Sequence, residues 1–590
     1  MKRFHILICM FVMLVSALPI AAHAEPTDHT PYTEPTDSAP AISLREWGRL
    51  GSGLHLTWAS KDRHYARHEV PGLTESATVS ITAWKGERVC LQGLAFTKKA
   101  LKGNYSLDWT CSDGKALTED TEVAWVRYVK ADDYEGCSST TTSAWYTVAD
   151  MLDAGSTMQF AADEVRPLWA SLEVSRDAKA GKKVVQIDVK TDGKVVKTLR
   201  VNLQVLDRQL PEPKDYQIHL DLWQQPYSVA RYYGVTPWSD AHIELLRPYM
   251  KRLARAGQKV VTAILFDEPW GAQSNDNFNP MIQSTLQGDG TWSFDYTVFD
   301  RYVTFMAECG IDEQIDCYSI LPWTGKFKYY DAASQSYKTY SVNISGTLSP
   351  QTAYSGLATS LLQDFKAHLE EKGWFGKTCI AMDERGNVTE AMEFVNRLGF
   401  KAAMAGGAYN SARAALYDYS LQVPNTFGSD IVSSRRAAGR KMSVYVSCDV
   451  PAVNMFTHST PAESAFLPIY AAAIDVDGIL HWSWLNWTDD PLTDTRFRLY
   501  PAGDTYFFYP GVRPSVRHER LLEGIQQFEK IKIMRSIWEA DTTTYATQLS
   551  TLNSLISTAA SLPDIKDMPA LVDAFESLLN SPGTARRRSR

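Results

Sequence analysis

Several signatures are missing from this chain, and each absence closes off a class of function. Its eight cysteines include no C-x-x-C pair, so a zinc site is not expected. There is no glycine-rich phosphate loop and no basic cluster at a strand end that would hold a phosphate. No G-x-S-x-G elbow marks a serine nucleophile. Positive charge is not in excess: 60 Lys and Arg face 68 Asp and Glu, a formal charge of −8, which argues against nucleic acid as a partner. Beyond the N-terminus no apolar run is long enough to span a bilayer. No cofactor and no metal are expected.

The first residues do carry a signal. Lys2 and Arg3 precede an apolar run over 4–18, and Ala22-His23-Ala24 gives a small-x-small cleavage pattern. Residues 1–24 therefore read as a secretory signal peptide, and the mature protein is expected in a periplasmic or extracellular space. Cys9 leaves with that segment. Seven cysteines remain, an odd number that cannot all pair within one chain. The pairing and the oligomeric state are left open. Residues 25–41, rich in Pro, Thr and Asp, read as a flexible tether.

From 42 to 209 short alternating stretches dominate, such as 78–84, 88–92, 169–174, 183–189 and 198–205. Asp192-Gly193 between the last two is a hairpin turn signal. This region predicts a β-sandwich. Leu210-Pro-Glu-Pro-Lys214 then punctuates the chain as a linker. Over 210–540 strands and helices alternate. Strands are predicted at 217–222, 259–266, 315–321, 378–382, 401–405, 426–432, 442–447 and 478–484. Helices are predicted at 240–256, 296–309, 355–372, 388–398, 462–474 and 516–534. Eight strands of this kind fit a (β/α)8 TIM-like barrel. Residues 541–590 add helices at 544–561 and 568–579, placed on the barrel exterior, and a basic tail ending in Arg586-Arg-Arg-Ser-Arg590. The expected fold is thus multidomain, α/β plus β: an N-terminal β-sandwich, a barrel and a short C-terminal helical extension.

In such a barrel the C-terminal strand ends form the active face. The residues placed there are His219, Asp221 and Trp223 on the first strand, Asp267, Glu268 and Trp270 on the second, and Tyr318 on the third. Asp383 and Glu384 end the fourth, Tyr445 lies on the seventh, and Trp482, Trp484, Asn486 and Trp487 close the eighth. Each alone is more often structural. Together they describe a mouth of carboxylates and aromatic faces, which suits a sugar: carboxylates and amides take its hydroxyls, and an indole stacks on its apolar face. Strand alternation lets only one of Trp482 and Trp484 face inward, and Trp484 is the first choice as platform.

Neighbours on a regular strand point to opposite faces, so Asp383 and Glu384 can act together only where the strand has ended. A two-carboxylate glycosidase normally draws its groups from separate elements, roughly 5 Å or 6.5–9.5 Å apart. Adjacent carboxylates suit substrate assistance better. There a 2-acetamido oxygen attacks the anomeric carbon, one carboxylate orients the acetamide and the other works as general acid and base.

The chain resembles glycoside hydrolase family 123. The resemblance rests on Ala83-Trp-Lys-Gly-Glu-Arg-Val89 with Thr97-Lys-Lys99, on Pro167-Leu-Trp169, on Asp207 to Pro211 and on His219-Leu-Asp-Leu-Trp223. It continues in Asp383-Glu384, Gly478-Ile-Leu-His-Trp482, Tyr509-Pro-Gly511, Pro514-Ser-Val-Arg-His-Glu519 and Glu523-Gly524. The last group looks like a C-terminal segment, domain of unknown function 4091, that many relatives share. What the resemblance implies is a β-N-acetylgalactosaminidase acting on a glycan with terminal N-acetylgalactosamine. Asp383 would orient the acetamide and Glu384 would be the acid/base. The segment Pro501-Ala-Gly-Asp-Thr505 does not match the family pattern throughout. Two other readings stay open: a two-carboxylate glycosidase using Asp267-Glu268 with Glu384 on a sugar without an acetamide, and a non-catalytic glycan-binding protein.

Overall fold

The computed structural model describes residues 32–36, 43–134, 136–137, 144–342, 356–424, 427–450 and 453–581. The expected signal segment, most of the tether and the basic tail lie outside the described residues.

The N-terminal part folds as ten strands. They are β1 His55–Ala59, β2 Thr78–Lys85, β3 Arg88–Thr97, β4 Leu101–Cys111, β5 Glu122–Ala131, β6 Tyr146–Ala154, β7 Met158–Phe160, β8 Glu164–Glu173, β9 Gly181–Thr191 and β10 Lys194–Gln209. They form two five-stranded sheets, in the orders β1-β3-β8-β5-β6 and β2-β10-β9-β4-β7. Alternate apolar residues of both sheets meet in one core, among them Trp58, Leu91, Trp125, Leu168, Ile187 and Leu203. The predicted hairpin joins β9 to β10 through Asp192 and Gly193, whose φ values of 51° and 73° give the doubly left-handed turn that matches strand twist.

The second part is built on eight parallel strands: β11 His219–Leu222, β12 Val260–Ile264, β15 Gln314–Tyr318, β18 Thr378–Met382, β19 Lys401–Ala405, β20 Asp418–Gln422, β21 Lys441–Tyr445 and β22 Gly478–His481. Their order, β11-β22-β21-β20-β19-β18-β15-β12, runs almost fully round a barrel. Four further strands, β13 Gln283–Leu286, β14 Trp292–Asp295, β16 Lys326–Asp331 and β17 Ser336–Ser341, form a small separate sheet in the connections after β12 and β15. The seam between β11 and β12 is unusual. One bridge, Leu220 to Gln258, supplies the backbone pairing. Two buried side-chain amides do the rest. Gln258 takes the Leu222 N–H at 3.0 Å and donates to Val260 O at 2.7 Å. Gln224 takes the Thr262 N–H at 2.9 Å and donates to Leu222 O. Backbone groups that a ladder would satisfy are satisfied by glutamines instead.

One strand lies elsewhere than the sequence suggested. The sixth is β20, Asp418–Gln422, while residues 429–432 of the expected stretch 426–432 belong to the helix Ser429–Ala437. The cause is polarity inside the barrel. Asp418 and Ser420 are buried, so the segment lacks the apolar run by which a fully buried strand is recognised. Other interior positions are polar too. His219 bonds Asp418 across the barrel at 2.6 Å, and Gln314 bonds the same carboxylate at 2.9 Å. The fifth unit has no α-helix after its strand, only the short turn Ser411–Arg413.

Helix Val516–Ala540 follows the barrel and is buried almost throughout its first sixteen residues. It lies between barrel and sheets, which explains why its pattern carries charges on every face. Arg88 of β3 pairs with Glu519 at 2.8 Å, Asp150 of β6 with Arg517 at 3.0 Å, and Lys61 with Glu523 at 2.8 Å. The two terminal helices, Ala546–Ala560 and Met568–Leu579, extend this layer. They are not confined to the barrel exterior: Glu576 reaches Lys61 and Leu579 O takes a bond from Arg208 of β10.

Candidate active site

Strand β18 is buried at all five positions and ends at Met382. Asp383 and Glu384 follow in the loop to helix Val388–Arg397, where the alternation constraint no longer holds. Both line a cavity of about 100 Å³ at the C-terminal mouth of the barrel. Its aromatic wall is Trp223, Trp270, Trp323, Tyr445, Trp482 and Tyr500.

The two carboxyl groups have different surroundings. Asp383 is buried, and its Oδ2 accepts the Trp323 indole N–H at 2.8 Å. Its Oδ1 has no partner among the described residues, and neither has the buried indole N–H of Trp270. Burial pushes the Asp383 carboxyl up to about 7, against the pull of the Trp323 N–H, and the Glu384 charge adds to the rise. Trp270 lies close enough to lower it slightly, without hydrogen-bond geometry. Arg385 stacks its guanidinium 4.1 Å over the Trp323 ring and so backs the donor that holds Asp383. Glu384 is exposed. Its Oε2 accepts from Tyr445 OH at 2.8 Å and from Gly407 N at 3.2 Å. The loop after β19 comes so near that a Cβ on Gly406 would stand 2.4 Å from Cβ of Glu384. Only glycine permits that approach.

The structure brings some of the predicted residues together and separates others. Asp383, Glu384, Trp223, Tyr445 and Trp482 line the cavity. His219 does not. It begins β11 rather than ending it, and lies at the opposite end of the barrel against Asp418 and Lys441. Asp221 sits inside the barrel below the cavity, where burial and the neighbouring Asp316 and Asp418 raise its pKa well above the usual range. Its Oδ2 accepts the Trp223 N–H at 3.2 Å. Tyr318 is buried behind the wall, its ring tilted against those of Trp223 and Trp270 at 4.6 and 5.2 Å. Asp267 and Glu268 are outside the lining. Glu268, half-buried at a φ of 49°, is raised to about 7 by burial and by Asp267.

Trp484 is fully buried against Phe508 and His518, and of the two it is Trp482 that lines the cavity. Asn486 is buried and accepts from the Asn275 backbone, tying two loops together. Trp487 is likewise core, its N–H on Phe508 O at 2.6 Å. Sequence reasoning missed Trp323, Tyr500 and Cys448. Trp323 follows the third strand by a few residues and was within reach of the strand-end rule. Cys448 follows β21 by three residues and was within the same reach, whereas Tyr500 stands in a long irregular connection that carries no periodicity.

Two family descriptions match this chain. "Glycoside hydrolase 123 N-terminal domain" matches residues 58–191, and "Glycoside hydrolase 123, catalytic domain" matches residues 223–534. The chain belongs to glycoside hydrolase family 123. As a family 123 member it is a glycoside hydrolase, and its cavity lies within the matched catalytic region. A solved family 123 glycoside hydrolase from Clostridium perfringens, studied for glycolipid glycan hydrolysis, shares the fold. It has a TM-score of 0.78 at 23% identity, covering 89% of this chain and 98% of that one. A family 39 glycoside hydrolase from Bacteroides cellulosilyticus is far more distant. Its TM-score is 0.30 at 12% identity, covering 76% of this chain and 82% of that one. No curated protein matches the chain.

Proposed function

We propose that this family 123 enzyme removes a terminal β-linked N-acetylgalactosamine from a glycan by a retaining, substrate-assisted reaction. The observation that carries the reading is the free Oδ1 of buried Asp383, on the cavity lining, one residue from the more accessible Glu384. A buried carboxylate oxygen with no donor costs free energy, and an acetamide N–H supplies that donor. The small cavity suits one sugar ring better than an extended chain. Asp383 and Glu384 are proposed as its catalytic pair, and Trp482 as the stacking surface.

In this reading Asp383 accepts the acetamide N–H and steadies the positive charge that grows on it. The acetamide oxygen then attacks the anomeric carbon, closing an oxazolinium ring as the bond to the leaving oxygen breaks. Glu384 gives its proton to that oxygen. It next takes a proton from water as the water attacks the same carbon, reopening the ring and restoring the acetamide. Two inversions leave the configuration retained. Tyr445 OH and Gly407 N keep the Glu384 carboxyl in place. Asp267 and Glu268 stand outside the lining, so the reading that pairs them with Glu384 draws no support from the cavity.

Export is part of the proposal. The Cys137–Cys448 disulfide supports it, because such bonds persist in oxidising compartments. The mechanism is tested with nitrophenyl β-N-acetylgalactosaminides carrying none, one, two or three fluorines on the acetyl methyl. Each fluorine weakens the attacking oxygen, so the rate falls stepwise. A flat series refutes substrate assistance, and release from the β-galactoside alone refutes the substrate class.

A further inference from the structure

Three tryptophans of the cavity wall donate their indole N–H to a carboxylate. Trp323 donates to Asp383 at 2.8 Å, Trp223 to Asp221 at 3.2 Å and Trp482 to Asp504 at 2.9 Å. Asp383 lines the cavity, but the other two carboxylates do not. Asp504 belongs to the Pro501–Thr505 segment and is fully buried. Its Oδ1 has no hydrogen-bond partner among the described residues, with the equally buried His481 Nε2 at 3.5 Å.

The segment behind Asp504 is held firmly. Arg517 donates to Gly503 O at 2.7 Å and pairs with Asp150 at 3.0 Å, and all of this is buried. On the cavity side Tyr500 meets the Trp482 ring edge-on at 4.9 Å. A stacking surface works only if its plane is fixed before the sugar arrives. A hydrogen bond to a carboxylate is about twice as strong as a neutral one, so it resists rotation of the ring.

We propose that Asp504 is a positioning residue: it fixes the plane of the Trp482 indole against the bound sugar and never touches the substrate itself. This rests on the glycosidase reading, in which Trp482 is the stacking surface. Two substitutions separate its parts. Asp504→Asn keeps an acceptor oxygen. Asp504→Leu keeps the approximate size and loses the acceptor.

The test reads ring order and kinetics side by side. Protein labelled with 5-fluorotryptophan gives one ¹⁹F resonance per indole, and that of Trp482 is identified by its loss in Trp482→Phe. Asp504→Leu should broaden or split this resonance and raise KM about tenfold on an aryl N-acetylgalactosaminide, with kcat changed less than about twofold. Asp504→Asn should restore a single line and most of the KM. The double variant Asp504→Leu/Trp482→Phe should bind no worse than Trp482→Phe, because the two act as one unit. A sharp, unshifted resonance with wild-type KM in Asp504→Leu overturns the proposal, and so does full additivity. If Asp504→Leu does not fold, benzothienylalanine at position 482 exchanges the indole N–H for sulfur and must reproduce the KM rise; a wild-type KM there overturns the proposal equally. Wild-type protein inert on every aryl glycoside would overturn the functional reading alone, since the resonance is read without substrate.

Discussion

Replacing Trp323 by Phe removes one hydrogen bond from a carboxylate whose ionisation the proposed chemistry needs. Asp383 must be charged to steady the acetamide nitrogen. Burial already holds its pKa up at about 7, and the Trp323 N–H works against that rise. A bond to the charged carboxylate contributes about 1.5–3 kcal/mol, and one to the neutral acid about 0.5–1.5 kcal/mol. The difference favours the charged form by roughly 1–1.5 kcal/mol, and 1.36 kcal/mol corresponds to one pKa unit. Trp323→Phe should therefore move the Asp383 pKa upward by about one unit. Activity is lost as pH falls through that pKa, so the acidic limb of the profile moves toward higher pH. The profile of kcat/KM reports the free enzyme. It should be measured with an aryl glycoside whose leaving group needs little protonation, which keeps Glu384 from dominating the limb. Trp292→Phe, in the small separate sheet, serves as control and should leave the limb in place. An acidic limb that stays put in Trp323→Phe, or moves to lower pH, refutes the assignment of Asp383.

Glu384→Gln should slow turnover of an unactivated glycan by about 10²–10⁴-fold and of an activated aryl glycoside much less, as single-turnover rates will show. Asp383 binds its proton more tightly folded than unfolded, so its stabilising contribution is full below about 3.8 and is lost as pH rises through about 7. Asp383→Asn should hence melt higher than wild type near pH 8, by up to a few kcal/mol of stability, and equally near pH 3.5; a lower melting point near pH 8 contradicts this. Trp484→Ala should cost about 3–5 kcal/mol in denaturant unfolding with KM unchanged in the folded fraction, whereas Trp482→Ala should raise KM. Gln258→Leu strands the Leu222 N–H at the barrel seam, while the Val260 carbonyl keeps Gln224 at 3.2 Å, and should destabilise by about 1–3 kcal/mol.

Apolar runs made most of the barrel legible. Strands β18 and β19 have the predicted bounds, 378–382 and 401–405, because nothing polar interrupts Cys379 to Met382 or Ala402 to Ala405. Where the interior turns polar the signal failed, and β20 was hidden by Asp418 and Ser420. The same polarity explains His219 and Asp221: a polar residue on a strand suggests a strand-end position, whereas here it serves the barrel's own interior. The Asp383-Glu384 pair could be found because adjacency on a strand is a strong constraint. Which of two tryptophans faces the cavity could not, since residues 482–484 lie past the end of β22 and alternation gives no answer there. Tyr500 and Asp504 come from a loop whose shape depends on Arg517 and, through it, on Asp150, which is far away in sequence.

The bonds that helix Val516–Ala540 and residues 576–580 make to the N-terminal sheets also bear on the order in which this protein can be made. Arg88 waits 431 residues for Glu519, Lys61 waits 515 for Glu576, and the Thr82 carbonyl waits 498 for Asn580. During synthesis the first sheets emerge long before their partners exist. Until then the flank of β3 carries an arginine meant for a dry interface. A shortened chain that stops after the last barrel strand would keep Asp383 and Glu384, lose Trp482 and Tyr500, and still expose that flank. The sheets and the barrel thus mature together, when the last helices arrive, and neither is a module to be cut out and moved alone.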